Sequence, residues 1–362
     1  MSGRLDRYVA GYFLSSYAVA FFFFVGLFIV IDLVSRIDDF LETARGSQIS
    51  SSQLASLVLE YYILYIPTIF LQVAPFITLI GAVVTVIRLL RTNELIPMIM
   101  AGRSVFRVLL PVFMLALAIT AGMILVQEKL SPGLADRRAA AIAFLKEGVH
   151  GLVIHPPLMA DAQGRVWRFD GGYHLAKKQG MGVTAKWKEG NDLVVVWARA
   201  MVHDPERRGW NLIEGRLQHA PPGESALSSP QEITFIAGGP TPDQISVGEK
   251  SAYELSLSQI AELCRLHPQQ LKWRVLLHCH ITFPLGNLLL VLLGVPFVLR
   301  HEHRGYFVGL AKGLLVCVLY FTADFAMRGL GAKGEVNPVI AAWLPTIVFG
   351  SAGICLFDAM RT

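Results

Sequence analysis

Charge is scarce in this chain. Only 16% of its residues are Asp, Glu, Lys or Arg, where a soluble domain of this size carries about 25%. The deficit falls in two blocks, one towards each end, which points to membrane spans around a soluble insert. Cysteine is also rare: Cys264, Cys279, Cys317 and Cys355. Only Cys264 lies outside an apolar segment, which argues against a disulfide scaffold. The other three read as small buried hydrophobes. No cluster of Lys and Arg is interleaved with stacking aromatics, so no nucleic-acid surface is expected. No G-x-x-x-x-G-K-[ST] phosphate cradle occurs, which excludes a nucleotide-burning motor of that type. His278-Cys279-His280 sets two imidazoles at i and i+2, on different faces of a helix. No second ligand pair stands at zinc spacing, so helix packing is expected there. His301-Glu302-His303 lacks the H-E-x-x-H metalloprotease spacing.

What the chain has is apolar length: 54% of residues are hydrophobic and the mean hydropathy is +0.51. Six segments reach the roughly 20 residues that a helix needs to cross a bilayer: Val9–Val34, Leu57–Ile87, Val105–Val126, Val275–Leu299, Tyr306–Met327 and Val339–Phe357. The first is too long for the apolar region of a secretory signal, and no A-x-A-like site follows it, so it reads as a retained helix. The second contains Pro67 and Pro75, which predicts a tilt or kink. Basic residues gather at alternate connections: Arg4 and Arg7, then Arg88, Arg91, Arg103 and Arg107, then Arg300 and Arg304, then Arg361. The loop after the first span is slightly acidic, with Asp38, Asp39 and Glu42 against Arg36 and Arg45. By the positive-inside rule both termini face the cytoplasm and the large insert faces outward.

That insert, Gln127 to Leu271, is too long for an ordinary loop. Strand-like stretches recur at Val166–Phe169, Leu193–Val202, Trp210–Leu217 and Gln231–Ile236, separated by polar turns such as Asp204–Gly209. An antiparallel all-β domain is expected, an open sandwich or jellyroll-like. Its flanks, Ser131–Gly148 and Ser256–Leu271, read as helical.

Several short motifs, in order, carry a family resemblance. They are Leu5-Asp6-Arg7-Tyr8, the segment Glu94-Leu95…Met98…Gly102, Tyr320…Asp324, and Pro338…Ala341…Leu344-Pro345. With the strand–turn–Trp210 hairpin, the chain resembles the LptF/LptG permeases of lipopolysaccharide export, a branch of the ABC transporters, along its whole length. Ile31-Asp32-Leu33 and Asp38-Asp39-Phe40-Leu41 lean towards the LptG-like member. The resemblance implies a polytopic helical protein with a periplasmic β-jellyroll between its third and fourth helices. Residues 1–130 hold three spans, 131–270 the β-domain with helical flanks, and 271–362 the last three spans. It implies an inner-membrane transport subunit with no enzyme activity and no cofactor of its own, ATP and Mg being bound by a partner. The implied partners are an LptB-like ATPase dimer, a second LptF/LptG-type permease, a bitopic LptC-like protein and a periplasmic β-bridge. The cargo is lipopolysaccharide or a related glycolipid.

The loop Thr92–Gly102 is the first candidate site. Thr92 or Asn93 can cap a short helix with Glu94 in its first turn, and Gly102 can end it in left-handed geometry. Leu95, Met98 and Ile99 fall at i, i+3 and i+4 and make one apolar face. An exposed apolar face calls for a partner, an ATPase groove, or for the lipid surface. Pro97 is tolerable only near the start of such a helix.

A phosphorylated glycolipid needs cationic anchors, and Arg36, Arg137, Arg138 and Arg328 sit at outer ends of spans. Interfacial snorkelling is the competing reading for each. The family's LptG-type members can carry lysines just after the first span, where this chain departs from them with Asp38 and Asp39. Asp32 reads as structural, and Asp324 as a candidate gate or inter-subunit contact. Phe21–Phe24, Phe28, Phe70 and Phe76 fit either an acyl cavity or a lipid-facing surface. Two rival classes stay open: a membrane-anchored β-domain scaffold, and a lipid-modifying membrane enzyme, for which no clustered catalytic set is present.

Overall fold

The computed structural model describes residues 3–47, 50–135, 137–138, 153–156, 158–161, 163–174, 177–190, 192–220, 228–247, 251–266, 269–299 and 306–359. Among them, helices α1 (Arg4–Ser47), α2 (Ser51–Arg91), α3 (Leu95–Met100) and α4 (Val105–Leu125) come first. A π-helical turn, Val126–Leu130, continues α4. Ten strands follow: β1 (Val153–Ile154), β2 (Met159–Ala160), β3 (Val166–Phe169), β4 (Tyr173–His174), β5 (Gln179–Glu189), β6 (Asp192–Asp204), β7 (Gly209–Ile213), β8 (Arg216–Ala220), β9 (Gln231–Glu232) and β10 (Phe235–Ala237). Helices α5 (Pro242–Val247), α6 (Leu257–Leu266), α7 (Leu271–Leu299), α8 (Tyr306–Lys333) and α9 (Pro338–Asp358) complete the described chain.

Six of these helices are long and apolar enough to cross a membrane, and each contains or overlaps one of the six predicted segments. In lipid every backbone N–H and C=O must be satisfied within the span, which leaves the helix as the solution for such runs. α2 continues as one helix through Pro67 and Pro75. α1 has 44 residues, about 66 Å at 1.5 Å per residue, roughly twice the hydrocarbon thickness.

α2 and α7 form the centre of the bundle; α1, α4, α8 and α9 pack around them. The shared core joins Val9 and Phe13 of α1, Leu79 and Val86 of α2, Leu109 and Val112 of α4, Leu290 and Val291 of α7, and Cys317 and Tyr320 of α8. In a bilayer such contacts gain by close packing rather than by leaving water, which favours small residues where helices meet. Gly294 is one: a Cβ there would collide with Leu79. The buried Asn287 side chain donates to Thr120 Oγ1 at 2.8 Å, tying α7 to α4.

The strands form one antiparallel sheet whose long members, β5 and β6, pair over ten residues of each. β3 and β4 share one edge of β5, and β7 and β8 share the far edge of β6. The stretch read from sequence as a single strand, Trp210–Leu217, is split at Glu214, whose φ is 53°. Gln231–Ile236 is likewise split into β9 and β10. Trp167, Trp210, Tyr173 and Phe169 lie together in the core of the β-domain. Trp210 Nε1 donates to the Pro240 carbonyl at 3.1 Å, and Trp167 Nε1 to Asp161 Oδ2 at 3.0 Å. In the β6–β7 turn, the Arg207 and Glu206 backbone N–H groups donate to Asp204 and hold its carboxyl below the usual range.

The helical flank predicted at Ser131–Gly148 is helical as far as it is described, at 131–135 and 137–138; the rest lies outside the described residues. The second flank is helix α6. Arg300, His301-Glu302-His303, Arg304 and Arg361 also lie outside the described residues.

Candidate functional site

The α2–α3 turn closes in a way the sequence does not announce. Asn93 takes φ 54°, its N–H donates to Leu90 O at 3.1 Å, and the Glu94 N–H donates to Leu89 O at 3.0 Å. These two bonds end α2 in a Schellman motif with Asn93 as its left-handed residue. Thr92 turns back to the Arg88 carbonyl. Neither Thr92 nor Asn93 therefore caps α3; Glu94 occupies that position without a side-chain cap. Pro97 falls in the first turn of α3, where its missing N–H has no helical acceptor to lose. Gly102 has φ 81°, and its N–H donates to Ile99 O at 2.9 Å.

The apolar face expected on α3 also divides differently. Leu95 is only 3% exposed and belongs to the bundle core, with Met98 packed against that core. The inner side of α3 is thus anchored to its own chain. The outward ridge consists of Ile96, Ile99 and Met100, the last 83% exposed.

A polar cluster fixes this turn to α1. The Tyr8 hydroxyl donates to Glu94 Oε1 at 2.8 Å and lies in hydrogen-bond contact with the Tyr12 hydroxyl. The Arg88 guanidinium stacks 4.0 Å above the Tyr12 ring. Arg107 Nη2 of α4 approaches Asp6 Oδ2 of α1 at 3.3 Å. Tyr8 as the partner of Glu94 was not legible in the sequence.

At the β-domain end of the bundle, the candidate cations are mostly engaged. Arg36 pairs with Asp32 at 3.0 Å, and Tyr62 donates to the same carboxylate. Arg328 pairs with Asp324 at 2.7 Å, and Asp324 is 4% exposed. Both pairs are at i, i+4, a spacing that could have linked them in the sequence. Arg138 pairs with Glu254 and lies 4.3 Å above the Tyr65 ring. Arg137 is exposed. Asp32 is thus a structural partner of Arg36 and Tyr62.

A network missed by sequence reading joins the root of the β-domain to the bundle. The π-turn after α4 directs the buried Gln127 towards His280 Nδ1 of α7 at 2.7 Å. Glu128 Oε1 meets His280 Nε2 at 2.7 Å and accepts from the Leu257 N–H that begins α6. π-turns recur where a helix must redirect a side chain. The sequence signal was the run Gln127-Glu128-Lys129 directly after a long apolar stretch. Cys279 packs with Val275 and Ala342. Among the described residues no group of three His, Cys, Asp or Glu side chains could share a metal ion. Among the phenylalanines, Phe21 meets Phe70 at 6.2 Å and Phe76 stacks on Phe321 at 4.6 Å, while Phe22 and Phe23 face outward.

Comparison with known proteins agrees with this architecture. No individual curated protein matches the chain significantly. The family profile described as "Lipopolysaccharide export system permease LptF/LptG" matches residues 7–359, which takes in the α3 turn, the whole β-sheet and all six spans but for the first three residues of α1. The chain belongs to the LptF/LptG family of lipopolysaccharide export permeases.

Proposed function

We propose that this chain is the permease half of an ATP-driven lipid extractor. It takes lipopolysaccharide, or a glycolipid like it, from the outer leaflet of the inner membrane and hands it to a periplasmic β-bridge. The energy comes from a separate ATPase dimer that binds ATP and Mg. A second permease of the same family and a bitopic LptC-like subunit complete the assembly. Both termini and α3 lie in the cytoplasm and the β-domain in the periplasm, as the placement of arginines supports.

One observation carries the coupling role: α3 shows Ile96, Ile99 and Met100 outward while Leu95 and the Tyr8–Glu94 bond hold its other side to the bundle. A greasy ridge on a rigidly seated short helix is suited to receive a push from a partner's groove. ATP-driven closure of the ATPase dimer would move α3, then α1 through Tyr8, and with it the gate between α1 and α8. Reconstituted complexes with Ile99→Asp or Met100→Asp test this, since neither change touches the core. The expected result is release of lipopolysaccharide reduced at least tenfold with the ATPase subunit bound more weakly. Full release by both variants would overturn the coupling role.

A further inference from the structure

Between the first turns of α1 and α4 lies an open cleft of about 450 Å³. That is within the range of roughly 300–1,000 Å³ common for bound small molecules. Its two ends differ in chemistry. At the end nearest the helix termini stand Arg7 and Arg107, with Asp6 beside Arg107 at 3.3 Å, so among the described lining residues two positive charges meet one negative. Deeper along the helices the wall is Leu110, Pro111 and Met114. From Arg107 to Met114 the rise is about 10 Å. The cleft therefore runs from charged to apolar along the axes of two membrane-spanning helices. Its charged end lies at their termini, at the level of lipid head groups. Met114 is largely exposed on its span, so the apolar end opens sideways to the hydrocarbon.

We propose that this cleft binds one anionic phospholipid of the bilayer. The phosphate sits on Arg7 and Arg107, and the upper acyl chain lies on Leu110, Pro111 and Met114. The occupant is an amphiphile rather than a free anion because half the wall is apolar and opens to lipid. It is anionic because Arg7 and Arg107 outweigh Asp6 among the described lining residues. This site is separate from cargo handling and requires only that α1 and α4 span the membrane. Because Arg7 precedes Tyr8, a bound lipid would brace the turn of α1 that contacts Glu94.

Native mass spectrometry of the delipidated full-length chain tests the proposal, with phosphatidylglycerol, phosphatidylcholine of the same chains, and inorganic phosphate as probes. Phosphatidylglycerol should be retained about fivefold better than phosphatidylcholine, the preference one interfacial arginine supplies. Arg7→Gln should remove that preference, whereas Asp6→Asn should strengthen it, an opposite sign that misfolding cannot produce. Millimolar inorganic phosphate should not displace the lipid. Equal retention of the two lipids, no response to either variant, or displacement by phosphate would overturn the site. A photoreactive residue at position 114 should label lipid in native membranes; labelling of a protein chain instead would show a subunit seated there and would also overturn it.

Discussion

The hydroxyl of Tyr8 donates to Glu94 Oε1 at 2.8 Å across 86 positions of sequence. It joins the start of the first span to the residue that opens α3, so a displacement of α3 is felt by α1 without passing through the core. Tyr8→Phe keeps the ring and removes the bond. We expect little change in the thermal midpoint of the purified chain. In the reconstituted complex, lipid released per ATP consumed should fall several-fold. Unchanged coupling efficiency would separate α1 from the α3 turn.

Gly102 ends α3 with φ 81°, and a Cβ there would meet nothing within 4 Å. The cost of Gly102→Ala is therefore conformational rather than steric, about 1 kcal/mol. Hydrogen exchange should show the amides of residues 95–102 opening several-fold more often while those of α2 and α7 are unaffected. An equally protected loop in the variant would refute the backbone account.

His280 receives both Gln127 and Glu128. In His280→Ala, the buried Gln127 amide is left without its partner, which costs about 1–3 kcal/mol. We expect a lower melting temperature and faster proteolysis between α4 and the first strand. Glu128→Gln retains a side chain that can still bond and should cost less. If the two variants behave alike, charge rather than the network dominates the junction.

Asp324 and Arg328 form a largely buried pair at 2.7 Å. Removing one partner from such a pair costs about 3–5 kcal/mol, whereas replacing both by apolar groups is often neutral. Asp324→Leu should therefore destabilise the chain towards the lower end of that range, because the Arg328 side chain stays 25% exposed. Asp324→Leu combined with Arg328→Leu should recover most of the loss. Additive destabilisation in a thermal-melt double-mutant cycle would show that the two side chains act independently.

The spans were legible because a long apolar run in lipid has only one satisfied backbone, the helix. β5 was not: Gly180 and Gly182 are poor strand formers that mask the alternation of Val183, Ala185 and Trp187 with Thr184, Lys186 and Lys188, and its order comes from pairing with β6. The left-handed Asn93 belongs to the end of α2 rather than the start of α3, because the same residue type suits both positions. That α3 is apolar could be read from its sequence, but the spacing selected Leu95, Met98 and Ile99 where the outward ridge is Ile96, Ile99 and Met100. Which greasy residue turns inward depends on the neighbouring core and could not be read. The engaged state of Arg36 and Arg328 was readable at i, i+4. The links of Glu94 to Tyr8, Glu128 to His280 and Arg138 to Glu254 were not, since they close across 86, 152 and 116 positions.

The first helix is a mast held by polar bonds near its ends and by apolar contacts alone in between. Its lower ties are Asp6–Arg107 and Tyr8–Glu94, and its upper one is Asp32–Tyr62. Only 11% of its apolar window is buried within the chain. A strut of this kind can slide or bow at mid-bilayer by exchanging oily neighbours one for another, without first breaking a polar bond. Sideways passage for a bulky amphiphile then comes cheaply beside α1 and dearly beside α2 or α7.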